Sequence, residues 1–325
     1  MGDDIADHER AALLALLTER PAMLGERAGK TSWSTIASEV ALRGSALAVW
    51  HDTRPDLPPT LDFGDPPAAI PDVPRLDIAW TQVGNQTASA DFRMVTVLDE
   101  DYPHRLRAIH QMPPVLFVRG ELRADERGVS IVGSRRATAR GLAIAAHVAE
   151  SLVRGGFSVI AGLAEGIDGA AHEATLAAGG RPIGVIGTGI TQVYPAQHRV
   201  LHERVAAAGA LVSQFLPDAP PTKQSFPMRN ATMSGLGLAS VIIEAGEHSG
   251  TRVQARVALE HGRPVIFTDT VVHATTWARD MLDRPGVYVA SSTTEVMSIV
   301  ERLAHTADAD DAEVLPALAD PPDGR

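Results

Sequence analysis

Cysteine is absent from the 325 residues. That excludes disulfides, thiol nucleophiles and every cysteine-ligated metal site. No run of about 18 consecutive apolar residues occurs, so no transmembrane helix is expected. The start, MGDDIADHER, lacks the basic and then apolar pattern of a secretory signal, and a cytoplasmic location is expected. Neither GxGxxG nor GxxxxGK[ST] is present, which disfavours ordinary dinucleotide and P-loop nucleotide binding. Lysine is nearly missing: Lys30 and Lys223 stand against 27 arginines. Arginine suits bidentate phosphate contacts, although a GC-rich genome gives the same bias.

The net charge is −11, from 29 basic and 40 acidic residues. Taken as a whole this opposes a nucleic-acid partner. The distribution reverses that inference. Residues 1–128 hold 13 basic and 20 acidic residues, net −7. Residues 129–270 hold 12 and 10, net +2, and residues 271–325 hold 4 and 10, net −6. The middle is close to neutral between two acidic flanks. Apolar residues make up 45% of the chain, enough for a substantial core.

Residues 9–24 read as an amphipathic helix and Ser34–Trp50 as a second, with Ser34 as a possible cap. Together, residues 1–52 suggest a small helical module, marginal unless it leans on the rest of the chain. Residues 53–90 read as a Pro/Asp-rich linker or loop. Residues 91–304 carry the main domain. Met94–Leu98 and Val115–Arg119 read as strands around a short helix. From Gly128 onward, short apolar strands alternate with helices, which implies an α/β fold with a mostly parallel sheet covered on both faces. Residues 305–325 are acidic and Ala/Pro-rich, and a disordered tail is expected.

Ligands of open α/β sheets lie beyond the carboxyl ends of the strands, and the unusual residues fall there. Gly133, Ser134, Arg135 and Arg136 follow the strand at Val129–Val132. Gly133 permits a tight turn, free N–H groups precede a helix, and the arginines can pair with a phosphate. The alternative is an ordinary turn with solvated arginines. Gly162 and Gly166 allow close backbone approach, and Asp168 can cap the next helix or contact a ribose or base. His172 stands one helical turn beyond Asp168, so an acid–base pair and a structural pair are both open. Gly187 and Gly189 mark another loop near a ligand, with Tyr194-Pro195 soon after. Arg229 and Asn230, read as preceding a helix, fit a phosphate clamp and a base anchor, or equally a helix brace. Ser249, Gly250 and Thr251 open a further helix as an anion cradle. Histidine and carboxylate spacing suggests no metal site.

These stretches together resemble the DNA-processing protein A family, also called Smf and implicated in natural transformation. The matching segments are Asp101-Tyr102-Pro103 with Pro113–Gly120, then IVGSRRAT, VIAGLAEGIDGAAH, IGVIGTGITQVYP, FPMRN and IEAGEHSG, in order over about residues 92–268. The resemblance implies an extended Rossmann-like domain that binds single-stranded DNA without catalysis or cofactor. It also implies a homodimer, a RecA-type recombinase as partner, and no membrane association. By motif, Gly133, Ser134 and Arg135 match the family's phosphate-binding Gly-Ser-Arg, and Gly162, Gly166, Ile167 and Asp168 its Gly-Leu-Ala-x-Gly-Ile-Asp loop. Arg229 and Asn230 match its Arg-Asn pair, and Ser249 and Gly250 its late Ser-Gly, and the resemblance implies nucleic-acid or phosphate binding there. The chain departs from the pattern at Glu165, where a basic residue is usual, and at Ala231, where the family has a second arginine. Gln254 replaces a usual threonine, and Asp269-Thr270 replaces a usual Pro-Gly. Losing cations and gaining a carboxylate implies weaker DNA binding on an unchanged fold. A more distant likeness to phosphoribohydrolases leaves a small-nucleotide sensor or enzyme built on Glu165, Asp168, His172 and Glu244 as the alternative. The Gly-Gly-x-Gly-Thr segment of those enzymes is missing. A scaffold for the recombinase, with DNA binding partly lost, is a third reading.

Overall fold

Runs of four to six residues, most of them buried and apolar, form the strands of a single nine-stranded sheet. This is a computed structural model, and it describes residues 2–23, 26–53 and 91–319. Apart from Thr53, the segment read as a linker over residues 53–90 lies outside the described residues. The strands are β1 (Arg93–Thr96), β2 (Val115–Gly120), β3 (Gly128–Val132), β4 (Ser158–Ala161), β5 (Pro182–Val185), β6 (Ala210–Ser213), β7 (Gly237–Ile242), β8 (Val265–Thr268) and β9 (Val287–Ala290). Their order is β1-β2-β6-β5-β4-β3-β7-β8-β9. Strands β3 to β9 are all parallel, while β1 and β2 add an antiparallel edge through Phe117 opposite Ser213. The fold is the α/β, mostly parallel, Rossmann-like arrangement that the alternating pattern implies.

The chain leaves β3 toward β4, β5 and β6, then returns to place β7, β8 and β9 on the other side. That reversal opens a crevice between the carboxyl ends of β3 and β7, where such sheets take ligands. Helix α5 (Ala139–Arg154) follows β3 because its apolar residues recur at three- and four-residue spacing and bury Ala145, Ala149 and Leu152. Thr138 caps it by accepting from the Gly141 N–H at 3.0 Å.

Three helices precede the sheet: α1 (Gly2–Glu19), α2 (Trp33–Arg43) and α3 (Ala46–Asp52). A continuous helix over 34–50 does not form. Gly44 takes φ +66°, which ends α2, and Ser45 starts α3 by accepting from the Ala48 N–H. The α2 cap is Ser32, not Ser34. The Glu9 carboxylate reaches the same break, accepting from Ser45 Oγ at 2.6 Å and from the Ala46 N–H at 2.6 Å. Leu13, Leu16, Ile36 and Trp50 belong to one buried cluster with Tyr102, Leu106 and Phe117, so these helices share the core of the sheet.

Helix α6 is Ile167–Ala177, α7 is Arg199–Ala208, α8 is Ser225–Leu236 and α9 is Thr251–Glu260; the short α4 is His104–Arg107. After β8 come α10 (Asp269–Ala274) and α11 (Thr276–Arg279). The last helix, α12, spans Thr293–Ala319 and continues past residue 305, where a disordered tail is expected from composition. Alanines recur between the acidic residues there, and alanine has the highest helix propensity. Among the described residues no helix is long and apolar enough to cross a membrane.

Candidate functional site

The crevice is an open cleft of about 610 Å³. Of the residues singled out in the sequence, Gly133, Ser134, Arg135, Arg136, Asp168, Arg229, Asn230, Ser249, Gly250 and Thr251 line it. Gly162 and Gly187 line a smaller adjoining pocket of about 100 Å³, with Arg135, Phe226 and Arg229 shared between the two. Gly166 and Gly189 line neither. Gly166 has φ +77°, and a methyl there would lie 2.3 Å from the Ser134 carbonyl oxygen. A methyl on Gly189 would lie 2.1 Å from that of Pro217. Both glycines allow backbone to pack on backbone.

Two of the backbone N–H groups near the expected phosphate seat, those of Ser134 and Thr138, are already engaged. The Ser134 N–H donates to the Glu244 carbonyl at 2.8 Å. The Glu244 carboxylate, from the end of β7, lies across the start of α5 and accepts from the Thr138 N–H at 3.0 Å and from Thr138 Oγ1 at 2.5 Å. A methyl on Gly141 would meet Glu244 Oε2 at 2.4 Å. A protein carboxylate therefore occupies the N-terminal end where this fold class usually receives a phosphate. At α9 the turn is also self-satisfied. The Thr251 N–H donates to Ser249 Oγ at 3.2 Å, the Arg252 N–H to the Ser249 carbonyl and the Val253 N–H to the Gly250 carbonyl. Arg135 and Arg136, both exposed, offer side-chain charge to an anion.

Arg229 is not a surface clamp. Helix α8 begins at Ser225, so FPMRN lies inside it, with Pro227 tolerated in the first turn because no earlier carbonyl needs its missing N–H. Arg229 is 6% exposed, and its Nη1 donates to the Gly162 carbonyl at 2.7 Å and the Val185 carbonyl at 2.8 Å. It ties the ends of β4 and β5 together. A methyl on Gly162 would lie 1.7 Å from that nitrogen, which is why glycine stands there. Asn230 Oδ1 accepts from Arg229 Nε at 3.1 Å. Asp168 is buried beside them and accepts from the Gly162 N–H at 3.0 Å. Burial raises its carboxyl above the usual range, offset in part by Arg229 and by the Ala164 and Gly162 backbone. Burial also lowers the Arg229 guanidinium, against the pull of Asp168.

The acid–base pairing of Asp168 with His172 does not form. His172 is fully buried, and neither ring nitrogen has a hydrogen-bond partner among the described residues. His202 on α7 is in the same condition. Burial lowers each to about 4, with further repulsion from His198. The backbone of Ala161 and of Tyr194 offsets part of this without reaching hydrogen-bond geometry. Both histidines are neutral core residues.

The exposed chemistry gathers around Phe226. The Arg135 guanidinium lies over its ring, 5.3 Å from the centroid. Tyr194, 42% exposed, also packs against Phe226, at 5.6 Å between ring centroids and a tilt of 49°. Gly187 makes this approach possible, since a methyl there would meet Phe226 Cδ1 at 2.8 Å. Phe215, the other aromatic considered as a base platform, is buried at 7% exposure. Its N–H is held by Ser213 Oγ, and it lines neither pocket.

An α/β sheet with a cationic and aromatic rim at its switch point defines a protein of the extended Rossmann-like class. The chain belongs to the DNA recombination-mediator protein A family, whose model matches residues 93–302. It is 36% identical over 197 residues to the DNA processing protein DprA of Bacillus subtilis, covering 60% of this chain and 64% of that one. It spans less than two thirds of the length of the curated relatives it matches. Among solved structures, DprA of Streptococcus pneumoniae superimposes with a TM-score of 0.65 at 23% identity, covering 90% of this chain and 97% of the other. DNA processing protein A of Helicobacter pylori, whose structure concerns a single-stranded DNA binding mode, gives 0.58 at 21%, covering 66% and 98%. At those identities the likeness establishes the fold.

Proposed function

We propose that this chain binds single-stranded DNA along the carboxyl edge of its sheet and assists a RecA-type recombinase in homologous recombination or DNA uptake. The observation that carries the reading is Arg135 stacked on Phe226 at the mouth of an open cleft. Cation and aromatic face together are what a strand with unstacked bases requires. Arg135 and Arg136 offer forked donors to successive phosphates. The recombination-mediator family and the single-strand binding mode of the Helicobacter pylori protein support the same reading. The protein works by binding rather than by catalysis, in the cytoplasm and as a homodimer. Support for the dimer comes from the outermost strand, where Val289 is exposed and Leu282 lies exposed just before β9.

A mononucleotide enzyme or sensor fits less well, because Glu244 fills the seat its phosphate would take. The deciding experiment compares ligands on wild type and Glu244→Ala. Wild type is expected to be stabilised against heat by an oligo-dT and not by nucleoside monophosphates. Glu244→Ala is expected to lose about 1 kcal/mol of stability with its helix contacts. It is also expected to bind a nucleoside monophosphate at least about tenfold more tightly than wild type, consistent with one charged hydrogen bond gained or repulsion removed. Wild type that binds the mononucleotide and ignores the oligonucleotide overturns the proposal.

A further inference from the structure

The adjoining pocket of about 100 Å³, which shares Phe226 with the large cleft, has a lining that phosphate chemistry does not explain. Tyr194 and Phe226 give it aromatic walls, and Arg135 stands at the boundary with the large cleft. Glu165 lines it as well. Its side chain is exposed, and Gln197 Nε2 donates to its Oε1, which holds the carboxylate in place. No partner for Oε2 occurs among the described residues. An anionic acceptor fixed at the edge of an aromatic pocket repels phosphate. It attracts an amine.

Resting on the single-strand reading, we infer that this pocket reads a nucleobase, with Glu165 accepting a hydrogen bond from an exocyclic amine. A strand whose phosphate lies on Arg135 brings the attached base onto the Phe226 and Tyr194 faces. The outer edge of that base then meets Glu165. The pocket of about 100 Å³ is smaller than the cavity of about 150 Å³ that holds benzene, so a base enters it only in part, with its amine edge toward Glu165. Cytosine presents an N4 amine at the position where thymine presents the O4 carbonyl. Carboxylate acceptance from cytosine N4 is an established base contact, and thymine O4 facing Glu165 is repulsive. Glu165 thus adds a preference among bases.

The test is fluorescence anisotropy at pH 7.5 and low salt with oligo-dC and oligo-dT of about 20 nucleotides. Wild type is expected to bind oligo-dC about tenfold more tightly than oligo-dT. Glu165→Ala is expected to bring the ratio to about one, with oligo-dT binding unchanged or tighter because a negative charge has gone. Glu165→Gln, whose amide both donates and accepts, is expected to erase the preference too. Equal wild-type binding of the two oligonucleotides, or a preference that survives in Glu165→Ala, overturns the base-reading role and leaves single-strand binding standing. Wild type that binds neither overturns both.

Discussion

Replacing Arg135 with alanine is expected to weaken single-strand binding about 10- to 100-fold. The guanidinium lies over Phe226 and faces both pockets, so its loss removes a charged donor and a stacking partner together. A hydrogen bond to a charged group contributes about 1.5–3 kcal/mol, which sets that range. The Ser134 and Thr138 N–H groups cannot compensate, since both already donate to Glu244. Arg135→Lys keeps the charge and loses the planar fork, and an intermediate affinity is expected. Arg229→Ala behaves differently: its guanidinium is buried on the Gly162 and Val185 carbonyls, so the first loss there is stability. Titration of labelled oligo-dT against the folded Arg135 variants measures the effect, and unchanged affinity in Arg135→Ala removes the arginine from the interface.

Acid is expected to destabilise this protein steadily as pH falls from 6.5 toward 4. His172 and His202 are lowered by burial from 6.5 to about 4. In the unfolded chain both take up protons near pH 6.5, whereas in the folded chain they stay neutral. Their contribution is therefore fully present above pH 6.5 and is lost as pH falls from 6.5 toward 4. His172 alone accounts for about 3 kcal/mol at the lower limit. That is a large part of the stability of an ordinary domain. Urea unfolding at pH 7.5, 6.0 and 5.0 is expected to show a steep decline that becomes shallower in His172→Leu, where only the His202 contribution remains of the two. A wild-type midpoint constant from pH 7.5 to 5.0 contradicts the neutral-core assignment.

The strands were legible because a parallel sheet covered on both faces demands short apolar runs. The run Ala210–Ser213 reads as the strand that forms. The cleft was legible because Gly133, Arg135 and Ser249 stand at strand ends, and topology brings strand ends together. Their roles were less legible. Which N–H groups stay free depends on Glu244, whose partner Thr138 lies 106 residues away and carries no local signal. Arg229 reads as a phosphate clamp or a helix brace, and the choice depends on a helix that starts two residues before Pro227 and turns the side chain into the interior. The break at Gly44 depends on a left-handed glycine, which a helical period alone does not reveal. His172 suits acid–base work by spacing, and only burial shows that it has no proton partner.

Net charge is the feature that most opposes a DNA ligand, and salt dependence addresses it directly. The measurement is wild-type affinity for oligo-dT from 50 to 300 mM salt. Arg135 and Arg136 engaging two phosphates give a slope of log affinity against log salt near −1.4, at about −0.7 per phosphate on a single strand. In Arg135→Ala the slope is expected to become shallower by about 0.7. A wild type with no measurable binding at 50 mM, or with binding that is independent of salt, contradicts a phosphate-holding edge on this sheet.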